Sequence, residues 1–476
     1  MTRTAVLNVV GLTPGLIGDH TPALRAFRDA GRLAHVVPAF PAVTCTAQSD
    51  YLTGTPPAAH GIVGNGWYDR DLAEVHFWKQ SNHLVRGEKL WETLRRMRPG
   101  FTCAKLFWWY NMYSSADLSI TPRPMYPADG RKFFDIYAWP YSLRTDIKKD
   151  LGEFPFPGFW GPGAGVSSPA GGPDCATRWI AESAKWVEER HRPDLSLVYL
   201  PHLDYNLQRH GVLEAKAEGR RPKAEVTSDL RLIDALAGDL IRHLEGRGVQ
   251  VVILSEYGIT NVTRAIHLNR LLRERGWLAV KEELGLELLD AGASRAIAVA
   301  DHQVAHVYVN DPSLLSEVRA VVEGVDGVAE VLDKEAQAGR GIAHPRAGDL
   351  VAVAREDAWF TYYYWLDDAR APDFARCVDI HRKPGYDPVE LFADPALSPL
   401  ALKARIGWRL LQKKLGFRML MDVIPLDAAL VKGSHGARPA DRQDWPLLMA
   451  KNHPAMPAEV TSTGVRDELV RMVSGR

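Results

Sequence analysis

Residues 40–65 read FPAVTCTAQSDYLTGTPPAAHGIVGN, and the stretch turns on one residue, Thr44, set between a Phe-Pro turn and a helix-like run. Pro41 disfavours helix for its predecessor, so residues 38–43 are expected to be extended. Thr46 to Leu52 is compatible with a helix, and Gly54 is a residue type that ends one. Thr44 then falls at or beside a helix N-terminus, where unpaired backbone N–H groups favour an anion. A hydroxyl there is either a cap or a nucleophile facing phosphate, and local sequence alone favours the cap.

Around this segment the chain runs to 476 residues, enough for one large α/β core with insertions. Its 58 basic residues balance 58 acidic ones, which removes the electrostatic case for nucleic acid. Cys45, Cys103, Cys175 and Cys377 are scattered without a C-x-x-C, as expected of reduced thiols in a cytoplasmic protein. The apolar run AVLNVVGL near the N-terminus is too short to span a membrane and is expected to be a buried first strand.

Strands and helices alternate along much of the chain. Strands are expected at TAVLNVVG, at 196–204, at 250–258 and at 305–311. Helices are expected at PALRAFRDAG, at 175–191, at 225–248, at AIHLNRLLRERG and at 313–323. The alternation predicts an α/β fold with a mostly parallel sheet covered by helices on both faces, and ligands at the C-terminal strand ends. Residues 108–172 break the pattern with WWYNMY, TPRPMYP and FPFPGFWGPGAG, and are expected to form an aromatic-rich insertion or cap, leaving 1–107 and 173–476 as the core.

The segment 40–65, the strand-end runs LDYNLQRHG and SEYGI, and the late KGSHG occur in an order that resembles the type I phosphodiesterase/nucleotide pyrophosphatase branch of the alkaline phosphatase superfamily. The resemblance implies an alkaline-phosphatase-like core. It implies a threonine nucleophile, falling on Thr44, and a phosphate-orienting asparagine, falling on Asn65. It also implies two zinc ions at the phosphate. The metal positions depart from the family pattern. Val10 stands where the family has Asp, Gln208 where it has His, and Glu256-Tyr257 where it has Asp-His; only Asp204 and His435 are retained. That set is poor for paired zinc. What the resemblance leaves is one divalent ion (magnesium, manganese or zinc) held by Asp204, Glu256 and His435 with Gln208 and Tyr257.

Two further clusters are candidate replacements. In ADHQVAHVYV, Asp301, His302 and His306 are available, and either a helix or a strand would point both histidines together. In the cluster at 379–383, alternation puts Asp379 and His381 on one face, and Arg382 and Lys383, just before a Pro-Gly turn, would bind phosphate there or be solvated. His60 and His267 are expected to be structural. In KARIGWRLLQKKLGFRML, residues 403–420, Ile406, Leu410 and Phe417 fit one helical stripe among basic residues; a helix docked on the protein is favoured over one touching an anionic membrane.

The function expected is metal-dependent hydrolysis or transfer at a phosphodiester, pyrophosphate or phosphate ester through Thr44, on a small phosphate-containing substrate, with neither nucleic acid nor a membrane span involved. Two alternatives stay open: an enzyme of another reaction class in a biosynthetic pathway, and a binding protein that kept the pocket. Substrate identity and oligomeric state are not legible.

Overall fold

The first apolar run, Thr4–Val9, is buried along its whole length and lies at the middle of a nine-stranded sheet. This computed structural model describes residues 1–475 other than 129, 130, 166–174, 213–221, 452 and 454. The strand pairs in parallel with Leu195–Leu200 on one side and Gln250–Leu254 on the other. Cys103–Leu106 and Leu118–Pro122 continue the parallel order, and Ile136–Trp139 closes that edge antiparallel. Towards the other edge, Leu447–Ala450 runs antiparallel to both its neighbours, Gln250–Leu254 and Arg32–Val37, and Glu459–Thr461 forms the edge itself. Helices Ala176–His191 and Ala224–Gly246 pack against each other in one group, and Thr44–Thr53 packs with Val465–Ser474 in another. The architecture is the mixed α/β one expected, with Val, Leu and Ile runs in the central strands because both faces are covered.

Leu118–Pro122 and Ile136–Trp139 come from the aromatic-rich stretch 108–172, so part of it extends the sheet. The expected junction at 172–173 lies outside the described residues.

One strand differs from expectation. Val304–Val309 is not part of the parallel sheet. It pairs antiparallel with Ala296–Asp301 across a two-residue turn, in a four-stranded sheet with Leu350–Ala354 and Val328–Leu332. This sheet packs on a second hydrophobic cluster rich in aromatics, among them Trp359, Tyr362 and Trp365. An apolar run buried on both faces looks the same in a hairpin as in a crossover; the turn at His302-Gln303 decides it, with His302 at a φ of 61°.

Among the described residues no helix is long and apolar enough to cross a membrane. The four cysteines are free and buried.

Candidate active site

Thr44 is the first residue of helix Thr44–Thr53, not its cap. Val43 precedes the helix in extended conformation and makes no side-chain cap bond, while Gly54 closes the helix at a φ of 69°. The cap role that local sequence alone favours is thus not the one Thr44 takes. Its side chain is 3% exposed, lines the main cleft, and brings its hydroxyl 3.3 Å from the Tyr257 phenol.

The cleft opens at the C-terminal ends of the three central strands, where parallel sheets gather ligands. Two of the expected strands end early there. The one over 196–204 stops at Leu200, so Asp204 sits in the first turn of helix His202–His210; the one over 250–258 stops at Leu254. One helical turn separates Asp204 from Gln208, and Gln208 Nε2 donates to Asp204 Oδ2 at 2.8 Å. The Tyr257 phenol donates to Asp204 Oδ1 at 3.0 Å. The Tyr386 phenol donates to Gln208 Oε1 at 2.9 Å. Burial pushes the Asp204 carboxyl up to about 7 against the lowering effect of the two hydrogen bonds it accepts.

Glu256 is fully buried beside this chain. Its Oε1 accepts from the amides of Asn8 and Gln48, and Gln48 Oε1 accepts from the Trp109 backbone N–H at 2.7 Å. Burial raises Glu256 to about 8. Asn8 and Gln48 were absent from the sequence expectations. Asn8 was the more findable: it shares a strand face with Val10, two residues on.

Asn65 lies deeper. Its Oδ1 accepts from the Cys45 N–H at 3.0 Å, and its backbone N–H and Nδ2 donate to Asp301 at 2.7 and 3.0 Å. It ties the start of the Thr44 helix to the hairpin turn.

His302 and His435 come together, in a four-ring stack. Tyr257 lies on His435, His435 on His302, and His302 on Tyr386, with centroids 3.5, 3.7 and 3.6 Å apart. His435 Nδ1 donates to the Ala42 carbonyl at 2.7 Å and His302 Nδ1 to Asp301 at 3.0 Å. Each Nε2 is therefore a lone pair, buried and without a partner. Burial holds both rings well below the usual imidazole range, hence neutral.

The other candidates are structural or peripheral. His306 does not point with His302: Gly348 N–H donates to its Nδ1 and its Nε2 donates to the Val63 carbonyl, because the turn sends the two residues apart. Lys383 is buried between Asp387 and Glu390 at 2.7 and 2.8 Å, which neutralises it, and Arg382 pairs with Asp373. His381 lines the cleft mouth with Nδ1 donating to the Phe77 carbonyl at 3.2 Å. His60 bonds Asp50 and His267 bonds Thr361, as expected of structural histidines.

Among the described residues no three His, Cys, Asp or Glu side chains are grouped to hold a metal ion. The expected set of Asp204, Glu256 and His435 is thus not assembled. The physical reason lies in the substitutions: Tyr257 and Gln208 turn hydrogens, not lone pairs, towards Asp204, and Asn8 and Gln48 do the same to one oxygen of Glu256. Val10 is a buried apolar residue. Glu256 Oε2 and His435 Nε2 keep buried lone pairs without a partner, but with both Asp204 oxygens taken by donors they do not make up the ligand set of the paired or the single ion.

The cleft above Thr44 has a cavity volume of about 90 Å³ and is walled largely by aromatic rings, including Trp78, Trp109, Phe159, Trp160 and Tyr199. In the run 107–110, Phe107, Trp108 and Tyr110 are buried and Trp109 faces the cleft.

An alkaline-phosphatase-like α/β core with a threonine at a helix start over the strand ends defines the class. The profile of the type I phosphodiesterase/nucleotide pyrophosphatase family matches residues 4–387, and the chain belongs to that family. The fold is similar to phosphonoacetate hydrolase from Sinorhizobium meliloti: 16% identity, TM-score 0.58, covering 99% of this chain and 96% of that one. It is also similar to murine ectonucleotide pyrophosphatase/phosphodiesterase 5, with 14% identity, TM-score 0.56 and coverage of 99% and 95%. The human protein of that name matches with 13% identity, TM-score 0.54 and coverage of 99% and 95%. No curated protein matches the chain.

Proposed function

We propose that the protein cleaves or transfers a phosphoester through Thr44, with a tyrosine–aspartate relay in place of the metal-assisted activation its family resemblance implies. The observation that carries this is the chain Thr44–Tyr257–Asp204, at 3.3 and 3.0 Å. Tyr257 donates to Asp204, so its phenol oxygen is free to accept from Thr44. As Thr44 Oγ1 bonds to phosphorus and the bond to the leaving oxygen breaks, the threonine proton passes to Tyr257 and the tyrosine proton to Asp204. The leaving oxygen takes its proton from water. In the hydrolytic case the hydroxide left by that water attacks phosphorus, the bond to Thr44 Oγ1 breaks, and the proton on Asp204 returns through Tyr257 to Oγ1. The start of helix Thr44–Thr53 directs its positive end at the phosphate. No side-chain cation stands at Thr44 among the cleft-lining residues, where Lys132 is the one lysine or arginine. Buried acceptors at His302 and Asp204 instead suit a diester or a protonated group over a dianion.

The test uses an activated aryl phosphodiester and mass analysis of acid-quenched protein. Wild type and Thr44→Ser should form a covalent phosphoryl adduct on residue 44, and Thr44→Ala should form none. Absence of both turnover and adduct in a folded wild type would sink the reading.

A binding protein that kept the pocket is the second reading. The observation favouring it is that neutral donors already bond both oxygens of Asp204 and one oxygen of Glu256. It predicts phosphodiester binding that Thr44→Ala leaves intact, with no turnover.

A further inference from the structure

Helix Pro399–Lys414 carries two apolar faces, and one of them looks into solvent. Ser398 caps it, and Leu402 and Ile406 rest on the second hydrophobic cluster. On the opposite side, Leu400, Trp408, Leu411 and, just past the helix, Leu415 are 78%, 57%, 46% and 63% exposed. With Ala404 they follow the 3.6-residue period of one stripe. The sequence favours a helix docked on the protein, and the inward contact of Leu402 and Ile406 leaves the outward stripe uncovered.

Charge distinguishes the occupants of such a face. Residues 395–421 contain six basic side chains and no acidic one. Arg409 is paired with Asp422, but Lys403, Lys414 and Arg418 make no ion pair among the described residues. Lys403 and Lys414 flank the exposed stripe by helical spacing. The patch continues across Lys413, whose ammonium reaches the Lys132 carbonyl and lies over the Phe133 ring. That loop exposes Met125, Tyr126, Phe133 and Phe134, and Tyr126 and Lys132 line the cleft mouth.

We propose that helix Pro399–Lys414, with Met125, Tyr126, Phe133 and Phe134 beside it, docks on the surface of an anionic lipid bilayer, with the cleft entrance turned towards it. The outward stripe enters the acyl boundary while the flanking lysines reach anionic headgroups, as amphipathic surface helices do. A second copy of this chain is a poor occupant, since two such patches would bring Lys403, Lys414 and Arg418 of one against the same cations of the other. The surface goes beyond the phosphoester reading and stands without it.

Sedimentation of the full chain with vesicles of equal parts phosphatidylglycerol and phosphatidylcholine tests this against pure phosphatidylcholine. Binding is expected on the anionic vesicles only and should fall with salt. Lys403→Gln and Lys414→Gln should each weaken it about fivefold, the equivalent of about 1 kcal/mol per basic residue. Trp408→Glu and Leu411→Glu should abolish it with melting temperature unchanged, because both side chains are exposed. No binding to anionic vesicles, binding unaffected by these four variants, or a dimer that Trp408→Glu dissociates would each overturn the proposal.

Discussion

The Tyr257 ring lies flat on His435, with centroids 3.5 Å apart and planes 6° apart, and this stack holds its phenol between Thr44 and Asp204. Tyr257→Phe keeps the stacked ring and removes both hydrogen bonds. Turnover on an aryl phosphodiester should fall about 100-fold or more, the contribution of a positioned proton acceptor. KM should change little. Stability should fall by roughly 1–2 kcal/mol, since Asp204 loses one of two partners. An unchanged kcat would remove Tyr257 from the reaction.

Gln208 bridges Asp204 and Tyr386 with both ends of its amide. Gln208→Leu strands a buried carboxylate oxygen and a buried phenol together. Denaturant unfolding should report a loss of about 2–4 kcal/mol, from two unsatisfied polar groups at about 1–2 kcal/mol each. Gln208→Glu retains an acceptor for Tyr386 but faces Asp204 with a second carboxyl, so one of the pair should hold a proton near neutrality. Its cost should be the smaller, and should grow as pH rises.

What was legible in the sequence follows from range. Thr4–Val9, Leu195–Leu200 and Gln250–Leu254 are local apolar runs, and their polar ends marked Asp204, Glu256 and Tyr257 without any structure. Thr44 was placed near a helix start by Pro41 and Gly54. The partners that decide the chemistry of those residues were not legible, because Gln48 meets Glu256 across 208 positions and Tyr386 meets Gln208 across 178. His302 and His306 were expected to point together, and the hairpin turn separates them. The helix at 399–414 shows the same limit: an apolar period does not say which face the protein covers.

Lys105 is buried and its ammonium donates to the carbonyls of Trp109 and Tyr110 at 2.7 and 2.9 Å. Burial lowers its pKa to about 7. In the unfolded chain the group titrates near ~10.4. Between these values the unfolded state binds the additional proton, so stability attributable to Lys105 should rise with pH from about 7 to about 10. The slope is at most ~1.4 kcal/mol per pH unit. The difference in unfolding free energy between wild type and Lys105→Gln, measured across that window, should carry the slope. A difference independent of pH would place the Lys105 titration elsewhere.

The substitutions that remove metal donors can be reversed. Strand register sets Asn8 opposite Leu254, which carries Val10 to the side of Glu256. Val10→Asp alone then buries a second carboxyl against Glu256 and should destabilise the protein by several kcal/mol. Adding Gln208→His and Tyr257→His replaces two hydrogen donors with imidazole lone pairs around Asp204 and the new carboxylate. Zinc should raise the stability of this triple variant, by roughly 2.7 kcal/mol at a hundredfold excess over its Kd. The same zinc should leave wild type unmoved, because the hydrogens of Tyr257 and Gln208 occupy the lone pairs of Asp204. A comparable zinc-dependent gain in wild type would mean that these side chains turn aside for a cation, and the metal-free relay through Tyr257 would have to be abandoned.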